Sequence, residues 1–241
     1  MADPVLFAIE EKVAVITLNR PERRNAINQA LLVQLYNAIE RVSGDPEIGA
    51  AVITGRDPAF CSGLDLKIVT QENLVDPRGD GRDLPDVFSD CSKPIIAAVN
   101  GHAITGGFEL ALNCDFIIAS ENARFADTHV RVGIHPGWGM TQHLQQAIGQ
   151  RRTRQMSLAA GMISAQTALE WGLVNEVVAH AKLISRVKDV AGEIANSDGN
   201  MVRTVKALID YKNSSSLEDA LQNERKGYQR FVKALFNKKE S

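Results

Sequence analysis

Short apolar runs alternate with amphipathic stretches along most of this chain. Residues 5–10 (VLFAIE) and 12–18 (KVAVITL) alternate or run apolar, which predicts two strands separated by a charged turn. Asn19-Arg20-Pro21 stops the second. From Asn28 onward Leu31, Leu32, Leu35, Ile39 and Val42 recur at helical spacing. They predict an amphipathic helix reaching about Arg41, with Asn25 or Asn28 as its cap. Ser43-Gly44-Asp45-Pro46 breaks it, and AAVITG at 50–55 follows as a buried strand. Apolar strands alternating with a helix imply parallel pairing under helical cover.

The pattern then shortens. Residues 59–67 form a small-residue turn leading into a helix, and the polar region 70–90, with Gly79, Gly81 and Pro85, predicts a surface helix or loop. Strands are expected at 94–99, 115–120 and 124–126, with a helix at 107–113 between the first two. Pro136-Gly137 introduces a helix from about Trp138 to Ile148, closed by Gly149, and a second runs to Ala160 before Gly161. Ser164 caps a helix over 165–171, and LVNEVV is a last short strand. From Ala181 the pattern is helical in three segments, broken near 196–199 and 213–216. The expected organisation is an α/β core over 1–180 and a helical region over 181–241.

Composition narrows the function classes. With 241 residues and 44% hydrophobic positions, the chain has the makings of an ample core. A net charge of −2 gives no electrostatic reason to expect nucleic acid or a membrane surface as partner. No apolar run approaches the roughly 18 residues of a membrane span. MADPVLFAIEEK has no basic segment before an apolar one, so no signal peptide is expected, and KKES is not a peroxisomal address. Cys61, Cys91 and Cys114 are widely spaced and odd in number, which points to reduced thiols and a cytoplasmic protein.

Candidate chemistry concentrates between Lys93 and Gln142. The glycines of Gly101-His-Ala-Ile-Thr-Gly106-Gly107 have phosphate-loop spacing but lack the Lys-Ser/Thr such a loop needs. There is no G-x-S-x-G elbow and no G-x-G-x-x-G fingerprint, which argues against a serine hydrolase and a dinucleotide enzyme. Histidines 102, 129, 135, 143 and 180 show no metal-ligand spacing, so no metal is expected. Gly106-Gly107 at a helix start leaves backbone N–H groups where the helix dipole favours negative charge. Glu109 then interrupts an apolar helix. A carboxylate there is either a proton carrier or a structural group satisfied by backbone N–H donors.

The stretch NGHAITGGFELALNCD, with AFCSGLDLK upstream, closely resembles the signature of the crotonase (enoyl-CoA hydratase/isomerase) family. NRPERRNAI, KPIIAAVNG, HPGWGMTQ and ISAQTALEWGLVNEVV fall in the family's order and spacing, up to about residue 195. The resemblance implies a four-turn ββα superhelix with a C-terminal helical region that mediates contacts in a homotrimer or a dimer of trimers. It implies an acyl-CoA thioester substrate, coenzyme A arriving as part of that substrate, and no separate cofactor. Two backbone N–H groups, carried over to Leu64 and Gly106, would hold the thioester oxygen as an enolate forms. By the same resemblance Arg24, Ala26, Ser62, Gly63, Asp65, Leu66, Lys67, Gly107, Thr128 and Gly137 contribute to the CoA and substrate pocket. Arg23, Arg24 and Lys67 are the candidates for the CoA phosphates, and solvated surface charges are the alternative.

The catalytic pair departs from the family pattern. Hydratases of this family place a water between two glutamates and add it across the 2,3 double bond. Glu109 matches the first, and His129 stands where the second is expected, in Phe125-Ala126-Asp127-Thr128-His129. Three outcomes stay open. His129 acts as the acid/base partner, Asp127 takes that role, or Glu109 works alone, which suits an isomerase or another crotonase-type reaction. A binder of acyl-CoA without turnover is the reading from a different class. The C-terminal segment RKGYQRFVKALFNKKES is short for the family, and Phe231, Phe236 and the terminal lysines are its candidates for reaching a neighbouring subunit.

Overall fold

The branched apolar runs become strands of two sheets that the chain visits in turn. In order, β1 (Val5–Glu10) and β2 (Val13–Leu18) precede α1 (Gln29–Gly44), then β3 (Ala50–Gly55), β4 (Ala59–Cys61) and α2 (Leu84–Ser89). β5 (Ile95–Val99), β6 (His102–Ile104) and α3 (Gly106–Leu112) follow, then β7 (Phe116–Ser120), β8 (Arg124–Ala126) and α4 (His129–Val132). α5 (Met140–Ile148), α6 (Gln150–Ala159), β9 (Met162–Ser164), α7 (Ala165–Trp171), β10 (Glu176–Val178) and α8 (Leu183–Ala195) come next. α9 (Gly199–Tyr211) and α10 (Leu217–Asn237) end the computed structural model, which describes residues 3–237.

The larger sheet has the order β1-β2-β3-β5-β7-β10, parallel except for the β1–β2 hairpin. The smaller has the order β4-β6-β8-β9, with β4, β6 and β8 parallel. Each repeat therefore contributes one strand to each sheet and then a helix. In the first repeat the second strand shrinks to a single bridge, Ile27 beside Leu64. This is the ββα superhelix. Gly55 and Gly101 make the sheet-to-sheet corners possible, since a Cβ on either would meet backbone of residues 58–60 at under 3 Å.

One core fills the space between the sheets and under α1, α2, α3 and α5, with Tyr36, Phe60, Phe108 and Phe125 its largest fully buried side chains. A second lies on the outer face of the large sheet. There Leu183, Val187, Ala191 and Ala195 of α8 cover Val13, Val52, Ile96 and Ile118. The compact units consequently divide after Asn196, not near residue 180. α8 belongs with the sheet because its apolar stripe closes the sheet's second face.

Local chemistry explains where the observed elements depart from periodicity. The helix expected to follow the 59–67 turn does not form. Gly63 adopts φ +90°, Leu64 bridges to Ile27, the Asp65 carboxylate pairs with Arg20 at 3.2 Å, and residues 66–71 are turns. In the polar region, Asp83 and Asp86 cap α2 reciprocally, and Arg78 and Arg82 pin the loop to Glu40 of α1. The helix expected from Trp138 begins at Met140, because Gly139 sits at φ +95° and the preceding backbone is committed elsewhere. β4, β6 and β9 have three residues each, too few to show a period.

The second unit, from Ser197, consists of α9 and α10 joined through a short 3-10 turn at Lys212–Ser214. Neither helix buries a residue. Phe231 and Phe236 are exposed on α10, and the terminal lysines 238 and 239 lie outside the described residues.

Candidate active site

The site begins with backbone. β4 ends at Cys61, and the chain turns through Ser62 and Gly63 so that Leu64 meets the start of α3. A Cβ on Gly63 would stand 3.3 Å from Gly106 N, and a Cβ on Gly106 would stand 3.6 Å from Leu64 N. The two N–H groups therefore flank one niche, and neither is taken up by a backbone hydrogen bond among the described residues. The edge of the Trp138 ring, 3.4 Å from the same Gly106 Cβ position, walls it. Gly107 has a different task. Its Cβ would fall 2.2 Å from Cys61 O, so the glycine lets α3 lie against β4. Thr105 enters α3 at φ +51°, ψ −114°, a sparsely populated backbone region for a β-branched residue. The Thr105 hydroxyl holds it there by pairing with the Thr128 hydroxyl and accepting from Thr128 N at 3.2 Å. Cys61 below the niche is no nucleophile, because burial pushes its thiol up to about 12.

Glu109 lies one turn into α3 and is 2% exposed. Its Oε1 accepts hydrogen bonds from Trp138 N at 2.9 Å and Met140 N at 3.2 Å. Asn113 holds that donor loop in turn, donating from Nδ2 to Trp138 O at 2.8 Å. The two sequence-based readings of Glu109 thus divide between its oxygens: Oε1 is fixed by backbone, and Oε2 faces His129 Nε2 at 3.6 Å. That separation is an ion-pair distance, a little long for a direct hydrogen bond. A water bonded to both atoms at about 2.8 Å would sit about 2 Å to one side of the line joining them.

His129 opens α4 and is buried. Its Nδ1 donates to Asp127 Oδ1 at 2.7 Å, and its backbone N donates to the same oxygen at 3.2 Å. Asp127 therefore stands behind the imidazole, on the side away from Glu109, and does not occupy the place of the second carboxylate. Burial alone would lower the imidazole pKa, but the Asp127 hydrogen bond and the Glu109 charge outweigh it and raise it to about 9. Burial likewise works to raise Asp127, yet the His129 contact wins and its carboxyl is held below the usual range. Ser157 of α6 adds to that lowering without making a hydrogen bond of ordinary geometry. His143 of α5, its ring against Gly139, feels the Glu109 charge, but burial dominates and its pKa falls.

The expected CoA-pocket residues fall into two sets. Residues 23–27 and 62–67 run side by side: Ser62 N donates to Arg24 O at 3.1 Å, Ile27 N to Gly63 O at 2.8 Å, and Asp65 N to Ile27 O at 2.8 Å. Arg24, Leu66 and Lys67 are exposed along this rim. The Asp65 side chain is not free, being paired with Arg20, and the same arginine occupies the Ala26 carbonyl. Thr128 is tied to Thr105 at the niche, whereas Gly137 is an exposed bend before Trp138 with open space around it. Among the described residues no cluster of His, Cys, Asp and Glu could hold a metal ion. Periodicity gives no sign of Arg20, Trp138 or Met140 as site residues. The last two act through N–H groups that any residue but proline supplies.

An open pair of backbone donors beside a buried carboxylate–imidazole pair defines a class of enzyme that stabilises negative charge on a carbonyl oxygen while moving protons next to it. The comparisons narrow the class. The family model for enoyl-CoA hydratase/isomerase matches residues 8–241, and the chain belongs to that family. It is 39% identical over 202 residues to a probable peroxisomal enoyl-CoA hydratase 1 of Arabidopsis thaliana, covering 82% of this chain and 75% of that one. With a crotonyl-CoA hydratase of Syntrophomonas wolfei it shares 37% identity over 224 residues, 91% of this chain and 86% of the relative. The crystal structure of an enoyl-CoA hydratase from Mycobacterium tuberculosis superposes with a TM-score of 0.80 at 40% identity, covering 96% of this chain and all of the other.

Proposed function

We propose that this protein hydrates 2-enoyl-CoA thioesters, with Glu109 as base and His129 as acid. The observation that carries the assignment of roles is the 3.6 Å separation of Glu109 Oε2 and His129 Nε2 beside the Leu64 and Gly106 N–H groups. The thioester oxygen lies between those two donors. Water between the pair gives a proton to Glu109 Oε2 as its oxygen bonds to C3. The C2=C3 electron pair moves toward C1, and the carbonyl pair moves onto the oxygen as an enolate. The enolate then re-forms the carbonyl as C2 takes a proton from His129 Nε2. Transfer of the proton held by Glu109 back to His129 resets the site. Stabilisation of the enolate by one such backbone donor is worth roughly 2.7–4 kcal/mol by comparison with other enzymes.

Several accompanying assignments belong to the same reading. The 23–27 and 62–67 rim, with Arg23, Arg24 and Lys67 exposed, is the side from which CoA enters. Coenzyme A comes with the substrate, and the chemistry calls for no resident cofactor. The exposed apolar faces of α9 and α10 support assembly as a trimer or a dimer of trimers. No described helix is long and apolar enough to cross a membrane, and three buried cysteines outside any disulfide suit a reducing compartment such as the cytosol.

The test is crotonyl-CoA turnover, followed by loss of enoyl absorbance and by product mass. Hydration adds the mass of a water, isomerisation of a 3-enoyl-CoA adds none, and a binder shows neither. Glu109→Gln is expected to lower kcat by about 10²–10⁴-fold. Wild-type turnover without dependence on Glu109, or binding without turnover, overturns the reading.

A further inference from the structure

We infer that Asp127 is the positioning residue of this site: it fixes the ring of His129 and holds the proton that the acid step consumes. The inference rests on the roles proposed above. Asp127 Oδ1 accepts from both the ring Nδ1 and the backbone N of His129, so one oxygen sets the side chain and the start of α4 together. The bond to Nδ1 leaves Nε2 as the only ring nitrogen facing Glu109. An imidazole turned the other way would present no proton to the substrate. Asp127 is itself 2% exposed, so its negative charge acts on the ring with little screening.

Proton counting supports the same assignment. A hydratase with two carboxyls and one shared proton carries one net negative charge in the site. An imidazole substituted for one carboxyl, with nothing added, would leave a net charge of zero when charged and would be a poor proton store once buried. Ionised Glu109, protonated His129 and ionised Asp127 together restore the single negative charge, with the proton already on the acid. Asp127 and Glu109 are the charged groups that act on the ring most strongly, from the β8–α4 junction and from α3. From α6 comes the uncharged Ser157, beyond Asp127, and from α5 His143 faces Glu109 with its own charge suppressed by burial.

Two measurements test this on the full-length protein. First, the histidine ring signals are titrated by NMR, with His129 assigned from the signal lost in His129→Gln. Wild-type His129 is expected to titrate well above the ordinary histidine value of 6.5. In Asp127→Asn it is expected to titrate about one to three pH units lower, with the other four unchanged. Second, the alkaline limb of kcat/KM for crotonyl-CoA is expected to move down with it, so that Asp127→Asn retains more activity at pH 6 than at pH 8. Asp127→Glu, which restores the charge, is expected to return the limb toward wild type. A wild-type His129 that titrates at or below an ordinary histidine overturns the inference without any variant, as does a folded Asp127→Asn with an unmoved titration. An equal loss at every pH assigns Asp127 a structural role only and overturns the proton-holding role. The NMR titration is independent of turnover, so it stands apart from a failure of the hydratase roles, which His129→Gln retaining full hydration would reveal.

Discussion

Gly106 and Gly107 are adjacent glycines with opposite obligations, and single methyl groups separate them. At Gly107 a Cβ would stand 2.2 Å from the Cys61 carbonyl, a backbone atom that cannot swing aside. Gly107→Ala is therefore expected to destabilise the fold by about 1–3 kcal/mol through overpacking, measured by urea denaturation. At Gly106 the nearest atoms to a Cβ are 3.4 Å away or more, so Gly106→Ala fits. Its methyl nevertheless fills the niche beside Leu64 N. Denaturation within about 0.5 kcal/mol of wild type is expected, together with a kcat loss of roughly 10²–10³, the range for one missing oxyanion donor. A stable Gly107→Ala, or a fully active Gly106→Ala, would reverse this division of labour. His129 adds a pH-dependent term. Its folded-state pKa is raised from 6.5 to about 9, so the native state keeps a proton that the unfolded chain releases. The stability it lends is complete below about pH 6.5 and is lost as pH rises through about 9. Thermal melts of wild type should fall more steeply across that window than those of His129→Gln.

At the scale of elements, α8 makes the clearest claim on stability. Leu183 and Val187 are 1% and 0% exposed against the outer face of the large sheet. Leu183→Ala is expected to cost about 2–5 kcal/mol by chemical denaturation, the range for a buried leucine cavity. A cost near zero would mean that α8 is not part of the cooperative unit. The sequence pattern reveals α8 as a helix but misplaces it with the C-terminal tail, since an apolar stripe does not name the surface it covers. The long strands and α1 are legible because Leu31, Leu35, Ile39 and Val42 repeat often enough to show a period. The three-residue strands do not. Within the site, Glu109 is legible as a carboxylate in an apolar helix, and the family resemblance supplies Leu64 and Gly106. The Trp138 and Met140 donors that hold Glu109 are invisible to such reading, because their contribution is backbone. Arg20 reads as part of a chain stop, yet the fold makes it the clamp on Asp65 and Ala26.

At the scale of the whole molecule, the two units differ in how they satisfy their apolar residues. The first buries two continuous cores, whereas α9 and α10 bury nothing. Their apolar residues are not scattered. Met201, Val205 and Ile209 repeat along α9 at four-residue spacing, and Leu217, Leu221, Tyr228, Phe231 and Leu235 recur along α10 at three, four or seven; all are exposed. Such stripes on a soluble helix are stable when another surface covers them, and a second copy of the chain is the cover proposed here. Charge placed within the stripe should then act on assembly before it acts on the fold. Leu221→Glu with Phe231→Glu is expected to shift sedimentation equilibrium from an oligomer toward the monomer. The melting temperature of wild type should rise with protein concentration, and that of the double variant should fall below it and lose the dependence, because association stabilises only the folded state. The niche with its Trp138 wall, the Met140 donor and the Glu109–His129–Asp127 chain all lie within the first unit. The His129 titration should therefore survive in the double variant. A wild type that sediments as a monomer at all concentrations would refute the assembly; a lost His129 titration in the variant would show that assembly shapes the site.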